Sequence, residues 1–188
     1  MENNATNNWP KFSFFKKPIG NPYPYRDITM LDTYCYIIGD YAKAATEKLR
    51  TIPNEADRKA FKKNNFDYIT PSGPFSYHND ASLIKHSQYM VIDLDHLENL
   101  ETTHQQLIND EYFEPQLLFT SPSGDGLKWF IEIDLSLATH NEYFDAIVNY
   151  LKRTYNIVVD ETGRNVSRGC FLPHDPDCYI NPKYLNHE

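Results

Sequence analysis

Between Leu127 and Asp134 the chain alternates: Leu127, Trp129, Ile131 and Ile133 point one way, Lys128, Phe130, Glu132 and Asp134 the other. A two-residue period is that of a strand, here with one face in the core and one mostly polar. Elsewhere the period is helical. Leu31, Cys35, Ile38, Ala42, Ala45 and Leu49 recur at helical spacing after Thr29, and Asp32 completes a capping box, so a helix is expected over 29–49. A second capping box, Thr139 with Glu142, opens a helix expected over 139–155 that buries Phe144, Ile147, Val148 and Leu151. Weaker patterns predict helices over 55–63 and 97–109. Short apolar runs predict strands over 66–69, 89–94, 116–120 and 157–159, the last ending at Asp160.

Residues 1–27 hold four prolines and show no clean period, so they are expected as an extended arm, with one domain over 28–188. The element order predicts an α+β domain with helices packed on a mixed sheet. Hydrophobic residues make up 40% and charged residues 23% of the 188, the balance of a chain that folds rather than stays disordered. No apolar run approaches the roughly 20 residues that span a bilayer, and MENNATNN does not read as a secretory signal. With three cysteines in no framework spacing, the expected compartment is the cytoplasm, with no membrane partner.

A net charge of −8 argues against clamping nucleic acid over the whole surface, because such binding is largely phosphate neutralisation by Lys and Arg. The richest local source of positive charge is 43–63, where Lys43, Lys48, Arg50, Arg58, Lys59, Lys62 and Lys63 outnumber Glu47, Glu55 and Asp57. A solvated helix face would look the same.

Candidate chemistry lies in three places. On a strand, Asp93 and Asp95 project from one face with Cα atoms about 6.6 Å apart, while Ile92 and Leu94 anchor the other. Two converging carboxylates repel unless a cation lies between them, and hard oxygen ligands suit Mg²⁺ or Mn²⁺, including a two-metal site for in-line phosphoryl transfer. Two exposed carboxylates at a sheet edge remain the alternative, and Asp160 is a candidate third ligand. The second place is the loop Ser121-Pro122-Ser123-Gly124-Asp125-Gly126, whose glycines admit close backbone approach. Ser121 and Ser123 offer hydroxyls and Lys128 a point charge, together a triphosphate cradle; an ordinary hairpin turn is the alternative. The loop is not a Walker loop, because no helix N-terminus follows it. The third is 165–175, where Arg168 offers a phosphate fork and Cys170, His174 and Cys178 form part of a zinc-like spacing that lacks a fourth ligand.

Three segments, VIDLD at 91–95, TSPSGDGLKWF at 120–130 and VVD at 158–160, resemble the motifs of the archaeo-eukaryotic primase superfamily. The stretch from Lys48 to Tyr179 is similar to the VirE-type N-terminal domain of bacterial mobile-element replication proteins, often found ahead of a helicase-like region. The resemblance implies an N-terminal α/β unit followed by an RRM-like domain, with the active site in the cleft between them. It also implies template-directed polymerisation of nucleoside triphosphates on single-stranded DNA, in the company of a helicase domain or protein. Asp93, Asp95 and Asp160 would then bind the metals, and Ser121, Ser123, Gly124 and Arg168 would contact the nucleotide's phosphates. Lys128 stands where many members carry a nucleotide-binding His, a change that binding tolerates better than turnover. No helicase or zinc module follows within the 188 residues, as expected of an excised domain or a stand-alone version. Other readings stay open: a non-catalytic nucleotide- or single-stranded-DNA-binding module, a metal-dependent nuclease, or a scaffold with a degenerate cleft.

Overall fold

The computed structural model describes residues 9–185. Among these, five α-helices and two four-stranded sheets make an α+β fold. The first sheet contains β1 (Phe12–Phe15), β2 (Arg26–Ile28), β3 (Tyr68–Thr70) and β7 (Cys170–Phe171), in the order β2-β1-β3-β7. The second contains β4 (Tyr89–Leu94), β5 (Pro115–Thr120), β6 (Leu127–Glu132) and β8 (Tyr179–Ile180), in the order β4-β6-β5-β8. Every ladder is antiparallel, where a mixed sheet was expected.

The described part of the expected N-terminal arm is built into the fold. β1 lies between β2 and β3, and Phe12, Phe14 and Phe15 are buried in it. The run Phe12-Ser13-Phe14-Phe15 has no two-residue period because Ser13 is buried too. Its hydroxyl donates to Asp27 and accepts from the Phe75 N–H at 2.8 Å, so the strand's one polar side chain is satisfied inside the core. Residues 1–8 of that arm lie outside the described residues.

The helix expected over 29–49 is two helices, α1 (Met30–Ile38) and α2 (Lys43–Arg50), separated by a 3₁₀ turn over Asp40–Ala42. The capping box forms as expected: Thr29 accepts from the Asp32 N–H and Asp32 accepts in return. The break has a tertiary cause. The carbonyl of Ile37 accepts from the Asp175 N–H at 3.0 Å, and that of Gly39 bonds Nδ1 of His174 at 2.8 Å. A distant segment thus takes carbonyls that a continuing helix would have used. The buried face of α1 is Met30, Thr33 and Ile37, not the row through Leu31 and Cys35.

The remaining helices are α3 (Glu55–Asn65), α4 (Leu100–Ile108) and α5 (His140–Tyr155). The second sheet is buried on both faces. Met90, Ile92, Leu94, Leu118, Trp129 and Ile131 meet Leu107 of α4 and Phe144, Ile147 and Leu151 of α5 in one core. Tyr89, Val91, Leu117, Phe119 and Phe130 meet Phe12, Phe14, Ile28 and Ile69 of the first sheet in another. The face of β6 expected to be mostly polar is therefore a packed layer between sheets, and both Phe130 and Lys128 are buried in it. No strand forms over 157–159: Val159 is buried beside α5's core residues, Val158 is exposed, and Asp160 caps a 3₁₀ turn over Glu161–Arg164.

Candidate functional site

Antiparallel register places Asp93 of β4 directly opposite Lys128 of β6. Both side chains point into the layer between the sheets, since Asp93 shares the face of Tyr89 and Val91, and Lys128 that of Phe130. Oδ2 of Asp93 is paired with the Lys128 ammonium and accepts from Nη2 of Arg168 at 3.2 Å. Its other oxygen, Oδ1, is buried with no hydrogen-bond partner. Burial alone would raise the pKa of Asp93, but Lys128 and then Arg168 outweigh it and hold the carboxyl below the ordinary carboxylate value.

Asp95 leaves the end of β4 on the same side and opens onto a cleft of about 390 Å³. Burial first, and then the charge of Asp93, push its pKa up, partly offset by Lys128 and Lys62. The neighbouring His96 takes a left-handed backbone conformation with φ at 55°, and its Nδ1 lies 3.1 Å from Oδ2 of Asp125.

The loop between β5 and β6 closes tightly over this strand end. Ser121 N–H donates to Gly126 O at 2.8 Å, and Gly124 N–H donates to Ser121 O at 2.9 Å. Gly124 needs its φ of +84°, and Gly126 lies where a Cβ would be 2.2 Å from the Leu94 carbonyl oxygen. Arg50, at the end of α2, donates from Nε to Pro122 O and from Nη2 to Ser121 O, both at 3.4 Å, and so braces the loop from outside. Asp175 anchors the end of β5 through the Thr120 N–H at 2.6 Å.

One face of α3 forms the opposite wall of the cleft: Glu55, Arg58, Lys59 and Lys62, three or four residues apart. The basic stretch seen in the sequence thus turns Arg58, Lys59 and Lys62 toward the acidic strand end rather than only to solvent.

The fold distributes the expected site residues unequally. Asp93, Lys128 and Arg168 form one connected cluster. Asp95, Ser123 and Asp160 line the cleft together. The Asp160 carboxylate is engaged locally, accepting from the Thr162 N–H at 2.9 Å and its hydroxyl at 2.8 Å. Ser121 is buried beneath the loop, its hydroxyl without a partner, and Gly124 rests against the Arg50 side chain. Arg50 and Asp175, which shape the loop, were not singled out for that role because their partners lie far away in the sequence.

Among the described residues, no group of three or more His, Cys, Asp or Glu side chains is arranged to hold a metal ion. His174 bonds the Gly39 backbone, and Cys170 and Cys178 are buried in the core between the sheets. No helix among the described residues is long and apolar enough to cross a membrane.

No curated protein and no solved structure matches the chain. Residues 61–180, from the middle of α3 to the end of β8, match the profile of a family described as BT4734-like, N-terminal domain. That stretch is well over half of the chain and contains the β4 carboxylates, the loop and Arg168, so the protein belongs to the BT4734-like N-terminal domain family.

Proposed function

We propose that this domain is a metal-dependent nucleotidyltransferase of the primase-polymerase type, acting on nucleoside triphosphates along a single-stranded DNA template. The observation that carries this reading is the cleft itself, in which Asp95 shares a space of small-molecule size with Arg58, Lys59 and Lys62, and Asp93 lies behind Asp95, near enough for its charge to act on Lys62. Carboxylates at the strand end together with the cations of α3 suit a ligand that is anionic and brings a cation with it.

Asp93 and Asp95 fit a divalent ion such as Mg²⁺ or Mn²⁺. The unpartnered Oδ1 of Asp93 lacks a positive neighbour of its own, and Asp95, pushed toward protonation, would be relieved by one. When bound, such an ion supplies charge stabilisation to phosphoryl oxygens. The chain's own residues supply position. Lys128 and Arg168 hold Oδ2 of Asp93, Gly126 packs the loop against β4 while Arg50 braces it from α2, and Ser123 lines the cleft. Asp160 stands at the rim, where it would join the acidic set after giving up its bonds to Thr162. Cytoplasmic residence is part of this reading and fits three cysteines with no disulfide among them.

A second reading, a non-catalytic nucleotide- or single-stranded-DNA-binding module serving a partner helicase, is favoured by one feature. Lys128 already neutralises the carboxylate that catalysis would need for metal. Template-directed nucleotide incorporation with Mn²⁺ separates the two. Incorporation by the wild type that is lost in Asp93→Ala and in the exposed-site variant Asp95→Asn supports the enzyme. Nucleotide binding with no incorporation supports the module, and absence of both rejects the two together.

A further inference from the structure

The triphosphate cradle read from the sequence relied on Lys128, but that ammonium is buried against Asp93. The cations that line the cleft lie within about one helical turn on α3. Lys59 is paired with Glu55 at 2.7 Å. Arg58 has its Nε buried without a hydrogen-bond partner. Lys62 is half-buried and, like Arg58, joins no ion pair among the described residues. Burial and the nearby Lys128 charge lower the Lys62 pKa, against the pull of Asp95, Asp93 and Asp125. Partly desolvated cations without anions are costly and are found where a ligand completes them.

Resting on the nucleotidyltransferase reading, we infer that Arg58 and Lys62 are the phosphate-binding wall of the cleft, taking the triphosphate of a nucleotide held over Asp95 and Ser123. Both reach the same space from positions i and i+4 of one helix, opposite Asp95, Ser123 and Asp160. The volume of about 390 Å³ falls within the range of small-ligand sites. A compact triphosphate with its own divalent cation suits this place better than an extended strand of nucleic acid. Glu55, Asp95, Asp125 and Asp160 surround the opening, and the chain as a whole carries −8. The guanidinium offers a fork of donors and the ammonium a point charge, a complementary pair for adjacent phosphates.

The test is calorimetric titration of the full chain with inorganic tripolyphosphate, a nucleoside triphosphate and a single-stranded oligonucleotide, each with and without Mn²⁺. The variants are Arg58→Gln/Lys62→Gln and, removing the same charge at exposed positions outside the cleft, Lys43→Gln/Lys152→Gln. Thermal melting verifies that both fold. The expected result is a loss of at least about tenfold in tripolyphosphate and nucleotide affinity for the α3 variant only. If that variant binds both as wild type does, the inference is overturned, while the reading of the cleft survives provided Asp95→Asn still abolishes nucleotide binding. If the oligonucleotide alone is lost, the wall serves a nucleic-acid backbone and the triphosphate assignment is overturned. If tripolyphosphate and nucleotide bind equally well and both are lost in the α3 variant, the wall stands and the nucleotide reading falls. No binding by the wild type overturns both.

Discussion

Asp93 and Lys128 are direct cross-strand partners in the β4-β6 ladder, and their side chains form an ion pair in the layer between the two sheets. The pair is connected to Arg168, which follows α5 in sequence and reaches the same carboxylate oxygen. Both cations meet Oδ2, which leaves Oδ1 of the same carboxylate buried without a partner.

Removing Asp93 leaves the buried Lys128 ammonium without a counter-ion, and removing Lys128 leaves the Asp93 carboxylate with Arg168 alone. Lys128→Met is expected to cost about 3 kcal/mol of unfolding free energy, and Asp93→Asn/Lys128→Met to recover most of it. Urea unfolding of the two singles and the double measures the coupling; additive losses would show that the pair is not energetically joined.

Acid stability is set first by histidine. Gln88 N–H donates to Nδ1 of His86 at 2.9 Å, so Nε2 of His86 carries its proton and donates to Nδ1 of His140 at 3.0 Å. Burial, then His86, bring the His140 pKa down to about 4. The unfolded chain therefore takes up a proton near pH 6.5 that the folded chain refuses until about pH 4, and stability falls as pH drops through that window. The loss is on the order of 2 kcal/mol, and His140→Gln should flatten it. Asp93, whose folded pKa is depressed, stabilises the fold above its unfolded value near 3.9 and loses that contribution only below it. Thermal melts from pH 7 to 3 separate the two steps.

Gly126 presses on the end of β4, where an added Cβ would lie 2.2 Å from the Leu94 oxygen and 3.1 Å from Cα of Asp95. The obstacle is backbone, so the strand end or the loop must move. Gly126→Ala is expected to destabilise by roughly 2–3 kcal/mol and to weaken ligand binding in the cleft beyond what stability explains. Denaturation paired with nucleotide titration tests this, and an unchanged affinity would show that the loop does not set the position of Asp95.

Asp110 ties the end of α4 to α5. Its Oδ1 accepts from the Tyr112 and Phe113 N–H groups at 2.9 and 2.8 Å, and its Oδ2 from the Tyr150 and Tyr155 hydroxyls at 2.7 and 2.6 Å. Asp110→Ala removes four hydrogen bonds at a partly exposed site and is expected to cost about 1–2 kcal/mol, while Asp110→Asn, which keeps one good acceptor, costs less. The site lies away from the cleft residues, so binding per folded molecule should be unchanged.

What the sequence determined by itself is the local chemistry. The boxes Thr29/Asp32 and Thr139/Glu142 form because each needs only a side chain three residues away. The strand over 89–94 and the common side of Asp93 and Asp95 follow from the backbone pleat, and the α+β class follows from the order of periods. What only the tertiary structure decided depends on distant partners. β1 is a strand because β3 supplies its ladder, α1 stops because residues 174 and 175 take its carbonyls, and 157–159 remains unpaired because no strand lies beside it among the described residues. Lys128 reads as a free cation in the sequence and is an occupied one in the fold, because register sets it across from Asp93 beneath the first sheet. The cleft's unpaired cations, Arg58 and Lys62, are on α3, and no sequence period reveals which of its faces an acidic strand end will meet.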